Sequence, residues 1–394
     1  MRQSVEVASV FRNCGYDYRK THHGSIPPRQ LRAMHAIEIC RSAELGGHVD
    51  ACDTCGFVRV SYNSCRNRHC PKCQYLTKEK WLEARKEDLL PIPYVHIVFT
   101  IPETLRPLAL RNQKVLYTLL FKAVSETVKK SALNPKHLGA KIGCIAILHT
   151  WSQTLIDHSH IHCIVTGGGL SPDGKQWIAA KGKYFLPVKV LSRLFRGKFL
   201  HYLKKAYKSK KLAFPGTIEH LQERGHFYKL LNELYRQEWV VFSKKPFRDT
   251  SHVFNYLGRY THRVAISNDR LVGMEDNRVT FRYRDSKRDN AKRLMTLDAN
   301  EFIRRFLMHI LPDGFTKIRY YGLLSNRNKK RQISHCRKLL GMPDTVIPKD
   351  KGKAGWEETL LRITGIDVRI CPRCKKGTMV LIKTLLPHFG RWPP

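Results

Sequence analysis

The chain has 394 residues and sets 71 Lys and Arg against 32 Asp and Glu, a formal net charge of +39. Its 42% hydrophobic content can build packed cores and rules out a wholly disordered basic tail, and the absence of any apolar run of about 18 residues rules out a membrane-spanning helix. So large an excess of cations calls for a polyanionic partner, with nucleic acid the leading candidate, and the length suggests two or three domains.

Met1 to Lys20 is too polar for a secretory h-region, so a cytoplasmic protein with reduced thiols is expected. Pro27-Pro28 precedes a helical pattern from about Gln30 to Leu45. The next segment holds two C-x2-C pairs, Cys52 with Cys55 and, after a short gap, Cys70 with Cys73. In a reducing compartment this spacing fits tetrahedral zinc, and four thiolates would close the coordination sphere and make the site structural. Cys65 and His69 add a C-x3-H pair and His48 lies just upstream, which leaves a different foursome or two ions open. A charged helix is expected near Thr77 to Leu89, and Pro91 and Pro93 mark a boundary.

A strand follows from Tyr94 to Ile101, then a helix near Gln113 to Ser131. Two extended stretches, Ile142 to Leu155 and His160 to Thr166, flank Asp157-His158-Ser159, whose polar character suggests the link of an antiparallel hairpin. His158, His160 and His162 alternate, so on a strand they share one face with neighbouring Cα atoms about 6.6 Å apart. Only two could reach one ion, and His160 and His162 are the better pair because His158 belongs to the turn. Gln153 on the preceding strand is the expected third ligand, with Asp157 and His149 poorer alternatives. Two imidazoles and an amide oxygen would suit Mg²⁺ or Mn²⁺.

Lys181 to Lys211 contains eleven Lys and Arg and no acid. Leu191, Leu194, Phe195, Phe199, Tyr202 and Leu203 recur through it at helical spacing. The run reads as an amphipathic helix whose cationic face, with Lys204 and Lys205, tracks phosphates. Strand-like segments are expected at Trp239 to Phe242, Arg270 to Val272 and Val279 to Tyr283, and a helix at Asn300 to Ile310. Between them a helix over Phe254 to Arg263 would set Tyr256 and Tyr260 one turn apart on one face, with Arg259 and Arg263 as a parallel pair suited to phosphate oxygens. The same spacing also fits an ordinary core stripe. A phenol with a pKa of about 10 needs an ion on the scissile phosphate and nearby cations before it can attack phosphorus. Cys371-Pro-Arg-Cys374 is a lone C-x2-C and a candidate second zinc site, which Cys336 beside His335 could complete if the fold brings them together. Cys144 and Cys163 sit in apolar runs that suit core packing.

These elements, in this order, resemble the rolling-circle transposases of the IS91 insertion-sequence family, members of the HUH endonuclease superfamily (His, hydrophobic residue, His). The resemblance rests on Ser64-Cys-Arg-Asn-Arg-His-Cys-Pro-Lys-Cys-Gln74, His160-Ile-His-Cys163 with Gly167-Gly-Gly169, and Tyr256-Leu-Gly-Arg-Tyr-Thr-His-Arg-Val-Ala-Ile-Ser-Asn268. Met295-Thr-Leu297, Glu301-Phe-Ile-Arg-Arg-Phe306, Ile318-Arg-Tyr-Tyr-Gly-Leu-Leu324 and the late Cys371-Pro-Arg-Cys374 extend it over nearly the whole chain.

The resemblance implies an α+β fold, an HUH-type antiparallel sheet with the metal-binding strand central and helices around it. It also implies a zinc-binding, DNA-binding domain over 1–90, a two-tyrosine catalytic domain over 91–330, and a basic C-terminal region over 331–394. The HUH pair maps onto His160 and His162, the nucleophiles onto Tyr256 and Tyr260, and the zinc ligands onto Cys52, Cys55, Cys70 and Cys73. The implied activity is metal-dependent cleavage and rejoining of single-stranded transposon ends through 5′-phosphotyrosine. A relaxase or replication initiator would use the same chemistry, and a non-catalytic zinc-ribbon nucleic-acid-binding protein would share the charge and cysteines. Tyrosine recombinases and acid-triad transposases fit poorly, because neither an H-x-x-R assembly nor a three-carboxylate motif is evident.

Overall fold

A computed structural model describes residues 5–86, 88–180, 186–244, 253, 258, 264–285, 288–342 and 355–388. In chain order the elements are α1 (Val7–Thr21), α2 (Pro28–Glu38), β1 (Gly47–Cys52), β2 (Val58–Tyr62), α3 (Pro71–Lys86), β3 (Tyr94–Thr100), α4 (Arg106–Arg111), α5 (Gln113–Leu133), β4 (Gly143–Trp151) and β5 (Asp157–Thr166). Then come β6 (Gly168–Leu170), β7 (Trp177–Ala179), α6 (Val188–Lys208), α7 (Arg224–Arg236), β8 (Val241–Ser243), β9 (Leu271–Glu275), β10 (Arg278–Asp285) and β11 (Ala291–Asp298). The last are α8 (Ala299–Met308), β12 (Ile318–Gly322), α9 (Lys329–Leu339), α10 (Trp356–Thr364) and β13 (Met379–Leu385). No described helix is long and apolar enough to cross a membrane.

The chain groups into two compact units. One gathers Met1–Trp81, His262–Ile310 and Val346–Pro394; the other gathers Leu82–Thr261 and Leu311–Thr345. This grouping differs from the consecutive division 1–90, 91–330 and 331–394, because 262–310 and the C-terminal segment join the N-terminal residues.

The second unit is built on a five-stranded sheet in the order β12-β4-β5-β3-β8, every neighbouring pair antiparallel. The expected α+β class and antiparallel sheet are therefore found, with the histidine strand β5 in the centre. Side chains alternate across a strand, so register decides what each face carries. Ile97, Phe99, Ala146, Leu148, Ile161 and Cys163 enter a core shared with Tyr117, Phe121 and Val124 of α5 and Phe195, Phe199 and Leu203 of α6. Cys144 joins this core, as its apolar surroundings suggested. His96, His149, His160 and His162 occupy the intervening positions and face the other way.

The β4–β5 link is Ser152 to Ile156, not Asp157 to Ser159. The Ser152 hydroxyl accepts from the backbone N–H groups of Thr154 (3.3 Å) and Ile156 (3.2 Å), closing the turn early, and Asp157 already pairs with Trp151.

The first unit holds two small sheets, β13-β1-β2 and β11-β10-β9. The apolar stripe of α1 packs on α8, where Phe11 and Phe306 meet edge to face at 5.2 Å. Helix α2 stops at Glu38, short of the expected Leu45, and hands Cys40 to a cluster of thiols.

Candidate active site and metal centres

On β4 and β5 the register sets His149 directly opposite His160, with His162 two residues further along the same face. The ligand nitrogens of His149, His160 and His162 all lie within 4.8 Å of one another. His149 and His162 are 3% and 7% exposed, while His160 is partly open. Gln153, expected as the third ligand, sits in the turn beyond Trp151; the cross-strand position belongs to His149. The early turn causes the difference, because it moves Gln153 off the strand that faces the histidines. Asp157 is buried at the start of β5, where Ser159 Oγ donates to it at 3.3 Å, and burial pushes its carboxyl up to about 7.

One hydrogen bond fixes the roles of the His160 ring nitrogens. His160 Nδ1 lies 2.5 Å from the His158 carbonyl, which can only accept, so Nδ1 carries the proton and Nε2 keeps its lone pair. His162 Nδ1 lies 2.9 Å from Nε2 of His96, a buried residue of β3. His160 Nε2 and His162 Nε2 then point at each other across 3.0 Å. At that distance His162 Nε2–H can donate to His160 Nε2, or both lone pairs can be directed at one cation. An octahedral ion with bonds of about 2.1 Å sets adjacent ligands about 3 Å apart, which these atoms match. His96 is held neutral by burial, with Lys244 and His160 adding to the effect, and its pKa falls to about 3. It carried no sequence signal of its own; only the β3–β5 pairing reveals it.

Tyr256, Tyr260, Arg259 and Arg263 lie outside the described residues. Lys204 and Lys205 are on the exposed side of α6, Lys204 with its ammonium 4.9 Å from the Tyr228 ring centroid. The buried side of α6 is Leu191, Phe195, Phe199, Leu200, Leu203 and Ala206, so the expected split of this helix into an apolar and a cationic face is found.

The cysteines pair differently from the expected foursome. Cys70 and Cys73 gather with Cys40 and Cys65, while Cys52 and Cys55 gather with Cys371 and Cys374. In the first group three Sγ–Sγ distances are 3.6 Å; in the second two are 3.7 Å. A disulfide would require about 2.05 Å, whereas a tetrahedral ion with bonds of about 2.3 Å to sulfur holds its ligands about 3.8 Å apart. The expected joint site of Cys52, Cys55, Cys70 and Cys73 is thus replaced by two four-thiol groups. His48 and His69 belong to neither, and Cys336 is not needed to complete the C-terminal pair. The thiols of Cys65 and Cys70 hold Cys40 down to about 7, and backbone N–H groups of Gly377 and Lys376 hold Cys374 down to about 6.

Two family models match the chain. One, described as "Transposase zinc-binding domain", covers residues 10–101; the other, described as "Putative transposase", covers residues 143–332 and so contains β4, β5 and α6. Together they define a transposase with a zinc-binding domain. Over 382 residues the chain is 49% identical to "Putative transposase y4qJ" of Sinorhizobium fredii, covering 97% of this chain and 96% of the relative. Over 307 residues it is 30% identical to the transposase for insertion sequence element IS801 of Pseudomonas savastanoi pv. phaseolicola, covering 77% and 72%. The chain belongs to the IS91 family of insertion-sequence transposases. Among solved structures, a metal-bound conjugative relaxase in complex with its origin DNA aligns at a TM-score of 0.23 with 16% identity, over 29% of this chain and 43% of the relaxase chain.

Proposed function

We propose that this transposase cleaves and rejoins single-stranded DNA at the ends of its element by rolling-circle transposition. Tyr256 and Tyr260 are the nucleophiles, and His149, His160 and His162 hold a divalent ion. The observation that carries this reading is the convergence of His149, His160 and His162, with His160 Nε2 and His162 Nε2 3.0 Å apart, the spacing of adjacent ligands on one ion.

The ion, when bound, supplies Lewis-acid polarisation of the scissile phosphate. Three imidazole nitrogens suit a transition ion better than Mg²⁺, which favours oxygen, so Mn²⁺ is the better of the two expected ions. His96 orients His162, and the His158 carbonyl orients His160. A tyrosine oxygen bonds to phosphorus while the P–O3′ bond breaks; the leaving oxygen takes a proton and becomes a 3′-hydroxyl. The strand is left on the protein as a 5′-phosphotyrosine, which preserves the bond energy for rejoining. The second tyrosine can hold another strand, so exchange needs no high-energy cofactor. Arg259 and Arg263 are suited to the phosphate oxygens, and Lys204 and Lys205 to the flanking backbone.

The test is to incubate the protein with single-stranded DNA from the element's ends and Mn²⁺, and to look for a covalent adduct on a denaturing gel. An adduct that disappears in the Tyr256→Phe, Tyr260→Phe double variant is expected. No adduct from the native chain, or an undiminished one from the double variant, overturns the assignment.

A further inference from the structure

We propose that Cys52, Cys55, Cys371 and Cys374 form a zinc site of their own, which clamps the C-terminal segment onto the N-terminal module. Two of these ligands lie outside the matched zinc-binding domain of residues 10–101.

The two halves are similar turns, the second closed one residue later than the first. In the first, Cys52 N donates to Phe57 O at 2.9 Å and Gly56 N donates to Cys52 O at 3.1 Å; in the second, Cys371 N donates to Gly377 O at 2.8 Å and Lys375 N donates to Cys371 O at 3.0 Å. The residue after the second cysteine is left-handed in both, Gly56 at φ 68° and Lys375 at φ 61°. Backbone N–H groups point at sulfur in each turn: Thr54 and Cys55 donate to Cys52 Sγ at 3.4 Å, and Gly377 donates to Cys374 Sγ at 3.3 Å. Such donors stabilise thiolates, the form that binds metal. Each turn thus presents two sulfurs, and opposing the turns makes a closed four-sulfur tetrahedron, which is a structural and not a catalytic arrangement.

Interactions beyond sulfur fit the same docking. Asp53 N donates to Thr378 O at 3.1 Å and Thr378 N donates to Asp53 Oδ1 at 2.9 Å. Strand β13 then adds to the edge of β1, Cys52 opposite Met379. At Gly377 a Cβ would stand 2.4 Å from Cys52 Sγ and 2.6 Å from Asp53 Oδ1, so the approach requires glycine there. Cys52 and Cys374 are separated by 322 positions in sequence and Cys55 and Cys371 by 316, so one ion would tie together segments from the two ends of the chain.

Cobalt substitution tests this on the full chain, because the thiolate-to-cobalt charge-transfer band counts sulfur ligands and ignores the histidine site. Two four-thiolate sites make the wild-type band twice that of one site. The Cys52→Ser, Cys55→Ser variant, the Cys371→Ser, Cys374→Ser variant and the fourfold variant should all keep the same half of it. A fourfold variant weaker than either pair variant, or a C-terminal pair variant with the full band, overturns the proposal. Alkylation of the unaltered zinc-loaded chain guards against misfolded variants. Cys55 and Cys374 should be protected together and react together once EDTA is added; Cys374 reacting while Cys55 stays protected also overturns it.

Discussion

His96 Nε2 stands 2.9 Å from Nδ1 of His162, joining a buried histidine of β3 to a histidine of the cluster on the central strand β5. When His162 binds an ion through Nε2, its Nδ1 carries the proton and donates it to the neutral His96. Such partners fix the ring and its tautomer, and losing one typically costs about 10–100-fold in metal affinity. His96→Ala should weaken Mn²⁺ binding by about that factor. His96→Asn, which keeps an acceptor, should recover part of it. Manganese titration followed by electron paramagnetic resonance reads both, independently of DNA cleavage, and equal affinities for wild type and His96→Ala would remove the role.

The choice between His149 and Gln153 can be made directly. His149→Ala should lose Mn²⁺ binding and the covalent DNA adduct, while Gln153→Ala should retain both, because Gln153 lies in the turn. The reverse pattern would return the third-ligand role to Gln153.

Helix α6 should separate stability from DNA binding. Phe195 is fully buried, 5.2 Å from the Phe99 ring and 5.1 Å from the Trp239 ring, so Phe195→Ala should cost about 3–5 kcal/mol in urea unfolding. A Lys204→Ala, Lys205→Ala double variant should leave the unfolding midpoint nearly unchanged. It should weaken binding to single-stranded DNA and flatten the slope of log affinity against log salt by about 0.7 for each phosphate no longer neutralised. An unchanged salt slope would take these lysines out of the DNA path.

Asp157 gives a pH signature. Its carboxyl is raised to about 7, chiefly by burial, with the Ser159 hydroxyl and the Arg106 charge opposing. Unfolded, it titrates near 3.9, so between these values the folded chain holds a proton that the unfolded chain releases. The resulting stability is complete below pH of about 4 and is lost as pH rises to about 7, a change on the order of 4 kcal/mol. Asp157→Asn should remove that slope and unfold at higher urea than wild type at pH 8. Parallel stability curves for the two proteins from pH 4 to 8 would contradict it.

Local patterns were legible from the residues alone. The alternation of His160 and His162, the apolar stripe of α6, the C-x2-C turns and the strand from Tyr94 depend on neighbours within one turn or one strand, so their spacing carries the information. Cross-strand relations do not have that property. His149 and His96 join the site only because of the register of β4 and β3 against β5, and a slip of one residue would send either to the opposite face. The early Ser152–Ile156 turn, closed by the Ser152 hydroxyl and by backbone hydrogen bonds, takes Gln153 off the strand that faces the histidines.

The charge of +39, the cysteine spacing and the histidine alternation pointed by themselves to a polyanionic partner and to metals. Which sulfurs lie together was decided by tertiary structure. Adjacency along the chain groups Cys52 and Cys55 with Cys70 and Cys73. Folding instead brings Cys371 and Cys374 to Cys52 and Cys55, because β13 completes a sheet edge that β1 leaves open. Proximity in sequence limits which thiols can form a turn, whereas the ligands of a tetrahedral ion need only be neighbours in space.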